Sequence, residues 1–165
     1  MSPKKTTLGL AILLAAAWFA FSGAVSALAK DGSGIVRAPA ENLEVEILDS
    51  NSDLVNYIYL ISPGPEIFIG VDDAIGTVVT LPPVALHAEL IFEIRVFEPD
   101  GVTDTGLRWF TGPPSRNEDH KFHAILGMPG PDQIQVNFED IHGDGWGVAN
   151  EPNYVDAIFV VRPVP

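Results

Sequence analysis

The stretch that decides the fold lies near the C-terminus and reads Phe138-Glu-Asp-Ile-His-Gly-Asp-Gly-Trp-Gly-Val-Ala-Asn-Glu-Pro-Asn-Tyr-Val-Asp-Ala-Ile-Phe-Val-Val161. Its two ends predict the end of one strand and a complete second strand, and the Gly- and acid-rich segment between them predicts a loop. We therefore expect the oxygen-bearing side chains of the stretch to converge on one side of a turn. These side chains are Glu139, Asp140, Asp144, Glu151, Asn153 and Asp156.

This set of side chains predicts a calcium site. Calcium binds about six to eight hard oxygen ligands from carboxylates, amides, backbone carbonyls and water. The stretch supplies these groups, and Gly143, Gly145 and Gly147 allow tight turns that aim carbonyls inward. The alternative is an acidic loop on an acidic protein, and composition alone does not separate the two interpretations.

Strand signals recur along the rest of the chain. In the longest run, His87–Phe97, the side chains of Leu90, Phe92, Ile94 and Val96 share one face, which predicts a central strand. The first predicted strand begins at Leu43. The others span Val55–Ile61, Glu66–Val71, Gly76–Leu81, Thr105–Thr111, Lys121–Leu126, Gln133–Phe138 and Tyr154–Val161. With no helical period after residue 29, the pattern predicts an all-β, jelly-roll-like antiparallel β-sandwich of about eight to ten short strands.

The N-terminal residues are typical of a secretory signal peptide, which we place at residues 1–29. Lys4 and Lys5 precede an apolar segment, Leu8–Phe21, and Ala27-Leu-Ala29 fits a cleavage site. An uncleaved membrane anchor is the alternative, because the apolar segment and its flank are about long enough to span a bilayer. Residues 30–42 are predicted to be a flexible lead-in, and residues 43–165 a single exported domain located in the periplasm, at the cell surface or outside the cell.

Charge and cysteine content narrow the classes of partner. The chain has 22 acidic residues against 9 basic ones, a net charge of −13, and no Cys. Such a charge disfavours nucleic acid and anionic membrane surfaces as partners and favours cations. Because an exported domain without Cys has no disulfide to constrain it, it relies on packing or on a bound metal for stability.

Three motifs together resemble a bacterial exported-domain family, domain of unknown function 4114. The first is Phe138-Glu-Asp-Ile141 followed by Gly143-Asp-Gly145, and the second is Asn153-Tyr-Val-Asp-Ala-Ile-Phe159. The third, Phe110-Thr-Gly-Pro-Pro-Ser-Arg-Asn117, precedes Asp119 and His123 and is similar to an upstream segment of the family. The likeness extends from about residue 66 to residue 161.

The resemblance implies a site without assigning an activity, since the family's acidic positions are interpreted either as metal ligands or as catalytic groups. Glu139, Asp140 and Asp156 match those positions directly. Glu151 and Asn153 stand where the family has Asp, and Val155 stands where it has Asn, so one ligand or supporting hydrogen bond is missing. We expect weak calcium binding, with a Kd of roughly 10⁻⁴–10⁻³ M.

Other residues have more than one interpretation. Asp119 and His123 are predicted to orient the acidic site, with His123 hydrogen-bonded beneath the loop that precedes it, and zinc binding there is disfavoured. Trp109 is predicted to lie in the core, whereas Trp146 and Tyr154 are candidates for a sugar-stacking platform. The segment Asp49–Asp53 opens like an EF-hand loop but lacks the required Gly and Glu, so that motif is rejected.

The leading functional prediction is a non-catalytic, calcium-binding module with a structural, adhesion or extracellular-matrix role. Its other partners would be polysaccharide or cell-surface proteins. One alternative is a carbohydrate-binding module. The other is a small hydrolase in which Glu139 and Asp156 act as paired carboxylates.

Overall fold

The computed structural model describes residues 33–141 and 152–165. Strands in these two ranges are β1 (Val36–Arg37), β2 (Leu43–Asp49), β3 (Val55–Ser62), β4 (Ile67–Val71), β5 (Val78–Thr80), β6 (Glu89–Phe97), β7 (Asp104–Phe110), β8 (Ala124–Gly127), β9 (Ile134–Phe138) and β10 (Ala157–Pro163). The only helical element among them is a 3-10 turn at Pro114–Arg116. No helix in this part of the chain has the length and apolar character needed to cross a membrane.

The strands form two antiparallel sheets, as the alternating pattern predicted. In the first sheet the order is β1-β6-β3-β4, and β7 pairs with the same side of β6 as β1. In the second sheet the order is β5-β2-β10-β9-β8. The chain crosses repeatedly from one sheet to the other, for instance between β2 and β3 and between β4 and β5, and the result is a β-sandwich.

One hydrophobic core fills the space between the sheets. Phe92 of β6 and Phe159 of β10 come from opposite sheets, and their ring centroids lie 4.8 Å apart. Leu90, Phe92, Ile94 and Val96 are all buried, so the alternation predicted for β6 is confirmed. Because β6 pairs with β1, β3 and β7, its prediction as a central strand is also correct.

The predicted flexible lead-in is wrong for its second half. Val36 and Arg37 pair with Leu90 and Glu89 of β6, and Val36 and Ala38 are completely buried. A strand of two residues is too short to show alternation, so the sequence carried no periodic signal for it. The folded domain therefore includes residues before Leu43, whereas the predicted signal peptide at residues 1–29 lies outside the described residues.

Two predicted strands begin later than expected. The last strand starts at Ala157, and Tyr154 has a positive φ of 56°, which is incompatible with a regular strand. Tyr154 and Asp156 therefore do not share a strand face. Similarly, β8 starts at Ala124, so His123 lies just before the strand.

Candidate metal centre

The register between β9 and β10 builds the centre of the acidic site. Phe138, the last residue of β9, pairs with Ala157, the first residue of β10. Glu139 and Asp140 follow the end of one strand, and Asp156 immediately precedes the other. The strand pairing thus brings these three residues together at one end of the sandwich, although Asp140 and Asp156 lie 16 positions apart in the sequence.

Glu139, Asp140 and Asp156 form a compact carboxylate triad. One carboxylate oxygen from each side chain lies within 4.8 Å of the other two. Their exposed fractions are only 1%, 6% and 6%, respectively. In residues 33–141 and 152–165, no Lys or Arg forms an ion pair with any of them. The triad therefore concentrates negative charge in a buried place without a cationic side chain to balance it.

Backbone groups hold two of the carboxylates in place. The Asp140 N–H donates to Asp156 Oδ2 at 2.9 Å. Glu139 Oε2 accepts hydrogen bonds from the N–H groups of Asn153 (2.8 Å) and Tyr154 (3.1 Å). These contacts occupy one oxygen of each carboxylate, and a hydrogen bond between the Glu139 and Asp156 side chains joins the two groups.

The pKa of Asp156 is strongly raised by its surroundings in the triad. Burial, and next the negative charge of Asp140, raise the pKa of Asp156 to about 8. The hydrogen bond from the Asp140 N–H opposes this rise but does not cancel it. Without a cation, the cluster therefore keeps a proton on Asp156 at neutral pH.

A second set of polar side chains, from β3, the residue after β4 and the β2–β3 connection, forms hydrogen bonds with Asp140 or with one another. The Asn56 side-chain amide donates to Asp140 Oδ2 at 2.9 Å and to Asp72 Oδ2 at 3.0 Å. Ser52 donates a further hydrogen bond to Asp140 Oδ2. Asp72 is itself buried, and burial raises its pKa although hydrogen bonds from Asn56 and Ser50 act in the opposite direction.

Asn56 also has an acceptor that is not used. Its side chain is fully buried, and its Oδ1 has no hydrogen-bond partner among the described residues. Leaving a buried amide oxygen unpaired costs about 1–3 kcal/mol. The amide that bridges two buried carboxylates thus carries one acceptor that the described residues do not satisfy.

A cavity of about 310 Å³ lies beside the triad. Its walls include all three carboxylate residues and the β2–β3 connection with Asn51 and Asp53. Leu54 and Leu107 complete the apolar part of the wall. The cavity gives an ion and its remaining water ligands room next to the triad.

His123 and Asp119 lie where the sequence predicted them, as supports of the acidic site. His123 is fully buried, with Nδ1 2.9 Å from the Glu139 carbonyl and Nε2 3.0 Å from Asp119 Oδ2. Its ring stacks on Trp109 with the centroids 3.7 Å apart, and Trp109 Nε1 donates to the Asp140 carbonyl at 2.9 Å. The predicted hydrogen bond of His123 and the predicted core position of Trp109 are both confirmed.

The remaining predicted site residues have different outcomes. Asn153 lies next to Glu139, but its Oδ1 accepts the Val155 N–H at 3.0 Å and so closes a local turn. The hydroxyl of Tyr154 donates to the Phe122 carbonyl at 3.1 Å, and burial raises its pKa. The predicted metal ligands Asp144 and Glu151 and the predicted platform residue Trp146 lie outside the described residues.

Sequence reasoning missed Asn56 and Asp72 as members of the site. A signal for Asn56 was present, because strand alternation places it on the same face as Ile58 and Leu60, where a polar side chain needs a buried partner. Asp72 follows directly after β4, where its acidic side chain indicated only a turn. Neither residue could be linked to Asp140 without knowing how the two sheets pack.

Comparison with known proteins assigns no relative. No protein family, curated protein or solved structure gives a significant match to the chain. The resemblance to domain of unknown function 4114 therefore stays a prediction that depends on the quoted motifs.

Proposed function

We propose that this protein is an exported, non-catalytic β-sandwich module that binds calcium at Glu139, Asp140 and Asp156. The observation that carries the proposal is the buried triad itself, with its ligand atoms within 4.8 Å of one another. At this separation and an effective dielectric constant of about 20, each pair of ionised carboxylates repels by about 3.5 kcal/mol. Full ionisation would create three such pairs, a cost comparable with the whole stability of a typical domain, which is consistent with the proton that Asp156 keeps without a cation. A bound cation would offset this repulsion and allow all three carboxylates to ionise.

The chemistry of the ligands favours calcium over a transition metal. Every polar side chain that lines the cavity carries oxygen, none of them is a His, and the chain contains no Cys. Both ring nitrogens of His123 already face oxygen partners, at 2.9 and 3.0 Å. Zinc, which prefers nitrogen and sulfur ligands, therefore has no suitable donor in the triad, whereas calcium accepts carboxylates, amide oxygens and water.

The position of the triad supports a structural role for the ion. Its ligands come from the end of β9 and the start of β10, and Asn56 links them to β3 in the other sheet. An ion bound here would tie together strands of both sheets and would bind only the folded chain. In a chain without disulfides, a cation that stabilises the sandwich in this way suits a surface, matrix or adhesion role outside the cytoplasm.

The paired-carboxylate hydrolase is less well supported. Glycoside hydrolases separate their two carboxyl groups by about 5 Å or more, so that the scissile bond or a water molecule fits between them. The Glu139 and Asp156 carboxyl groups are close enough to share a hydrogen bond, and both side chains are buried. This geometry suits a small ion better than a sugar.

Thermal unfolding of the purified protein tests the proposal. We expect the melting temperature in millimolar calcium to exceed that in EDTA, with a smaller rise in magnesium and none in zinc. Isothermal titration calorimetry should give one calcium ion per chain. An identical melting temperature in EDTA and calcium, with no heat of calcium binding, would refute the assignment.

A further inference from the structure

A second surface, on the outside of the sandwich, carries a cluster of aromatic side chains. Tyr57 and Tyr59 of β3, Phe68 of β4 and Phe97 of β6 lie on the outer face of the first sheet, and we call this set the aromatic face. The residues that alternate with them in β3, Ile58 and Leu60, point into the core. The four rings are therefore not part of the packing between the two sheets.

The rings of the aromatic face form a continuous patch. The centroid of Phe68 lies 5.2 Å from that of Tyr59 and 6.0 Å from that of Tyr57, and Tyr57 lies 4.7 Å from Phe97. Phe68 is 50% exposed, which is unusual for a Phe in a strand. The three ring pairs are tilted, with interplanar angles of 31° to 55°.

Planar charged groups border the aromatic face. The Arg95 guanidinium lies 3.9 Å from the centroid of the Tyr59 ring and forms ion pairs with Glu66 and Glu93. Arg108 continues the row, 3.7 Å from Glu93. Because each group is held by its neighbours, the row presents fixed donors and acceptors beside the rings at little further entropic cost.

We propose that the aromatic face binds a neutral polysaccharide. The two faces of a pyranose ring carry C–H groups, which stack favourably against the negative π-face of an aromatic ring. Phe68, the most exposed of the four rings, would stack against a sugar ring. Tyr59, whose ring face is covered by Arg95, would contribute its hydroxyl instead. Glu66 and Arg95 then lie within reach of the sugar hydroxyls and fix its orientation.

The charge and size of the aromatic face favour this occupant over others. Its bordering row contains more carboxylates than guanidinium groups, and the whole chain carries a net charge of −13, so anionic polymers are repelled. A stable protein partner needs about 800 Å² on each side. Only Phe68 among the four rings is more than partly exposed, which offers enough area for one or two sugar rings but too little for such an interface.

Tyr57 has a structural role in the fold, whereas Tyr59 and Phe68 are available to contact a sugar. The Tyr57 hydroxyl donates to the Gly101 carbonyl at 3.0 Å and so anchors the turn after β6. The Tyr59 hydroxyl has no hydrogen-bond partner among the described residues and is free to bond a sugar hydroxyl. Phe68 and Tyr59 are therefore the residues to substitute, and Tyr57 is not.

Affinity electrophoresis through gels containing soluble neutral polysaccharides tests the proposal. The probes are hydroxyethylcellulose, xylan, galactomannan and laminarin, with alginate as an anionic control. We expect retardation by at least one neutral probe and none by alginate. Phe68→Ala should weaken that binding about tenfold and Tyr59→Phe to a smaller extent, whereas Met128→Ala, an equally exposed apolar residue on the other sheet, should not change it.

The proposal would be overturned by unchanged retardation of Phe68→Ala, by preference for alginate, or by no retardation in any neutral gel. It would also be overturned if analytical ultracentrifugation showed a dimer that Phe68→Ala converts to a monomer, since the aromatic face would then bind a second copy of the chain. This site does not depend on calcium. Asp156→Asn should retain polysaccharide binding at temperatures where it is folded, so failure of one proposal leaves the other testable.

Discussion

Asp156→Asn separates the two effects that the triad is expected to have on stability. Asn keeps an oxygen that can accept the Asp140 N–H, which Asp156 Oδ2 accepts at 2.9 Å. The substitution removes one negative charge from a cluster whose ligand atoms lie within 4.8 Å. Its effect should therefore have opposite signs without and with calcium.

Without calcium, the difference in stability between the variant and the wild type depends on pH. The pKa of Asp156 is raised from 3.8 to about 8, so the folded wild type retains a proton that the unfolded chain releases near pH 4. Since the folded state binds more protons, wild-type stability falls as pH rises from about 4 to 8. Asn does not titrate, so the variant should melt slightly higher than the wild type at pH 5 and much higher than it at pH 9.

With calcium, the order reverses. For a Kd of roughly 10⁻⁴–10⁻³ M, 10 mM calcium stabilises the folded wild type by about 1.4–2.7 kcal/mol. In a domain of this size, that corresponds to a rise in melting temperature of about 5–10 °C. The variant should show less than about a quarter of this rise. Calcium should also stabilise the wild type more at pH 8 than at pH 6, because binding displaces the proton on Asp156.

Circular dichroism melts of wild type and variant, in EDTA and in 10 mM calcium at pH 5, 7 and 9, measure both effects. Asp132→Asn is the matched control, because Asp132 is exposed and its positive φ of 56° is tolerated by Asn. A full calcium shift in Asp156→Asn would refute the assignment of Asp156 as a ligand. A variant that melts below the wild type in EDTA at pH 9 would refute the argument from charge repulsion.

Two further substitutions test the surroundings of the site and the start of the domain. Asn56→Ala removes the amide that bridges Asp72 and Asp140. We therefore expect the free energy of unfolding, measured by chemical denaturation, to fall by about 1–3 kcal/mol, and the calcium response to weaken. An unchanged calcium titration would show that the amide does not position Asp140. Gly34 has a φ of 62°, and a Cβ there would lie 2.9 Å from the Gly112 carbonyl oxygen. Gly34→Ala should therefore cost about 1–3 kcal/mol, whereas no cost would mean that the chain before β1 is the flexible lead-in that the sequence predicted.

The sequence predicted the parts of the fold that local periodicity determines. The alternation in β6 identified both its position and its buried face. Periodicity failed where a strand is very short, as in β1, or where a turn precedes a strand, as at Tyr154. It also failed to predict the aromatic face, because both faces of β3 carry apolar or aromatic residues and neither is marked as the outer one.

The site was predictable only in part, for a related reason. Glu139, Asp140 and Asp156 flank one loop, so the pairing of two neighbouring strands was enough to bring them together. The bond from Asn56 to Asp140 joins residues 84 positions apart, and that of Ser52 to Asp140 joins residues 88 apart. Contacts of this kind depend on how the sheets pack, which no local pattern encodes.

The arrangement around Asp140 explains why a cation and the sandwich would stabilise each other. Asp140 receives hydrogen bonds from Asn56 of the first sheet and from Ser52 of the β2–β3 connection. Its own N–H donates to Asp156, which immediately precedes β10 of the second sheet. Any separation of the sheets at this end would break both sets of bonds and disperse the ligands. Conversely, without a cation the same contacts hold carboxylates together against their repulsion, so that end of the sandwich should open first. Hydrogen exchange of the Asp140 and Asp156 amides should therefore slow on addition of calcium more than exchange in β6, whereas a uniform change along the chain would indicate that calcium acts elsewhere.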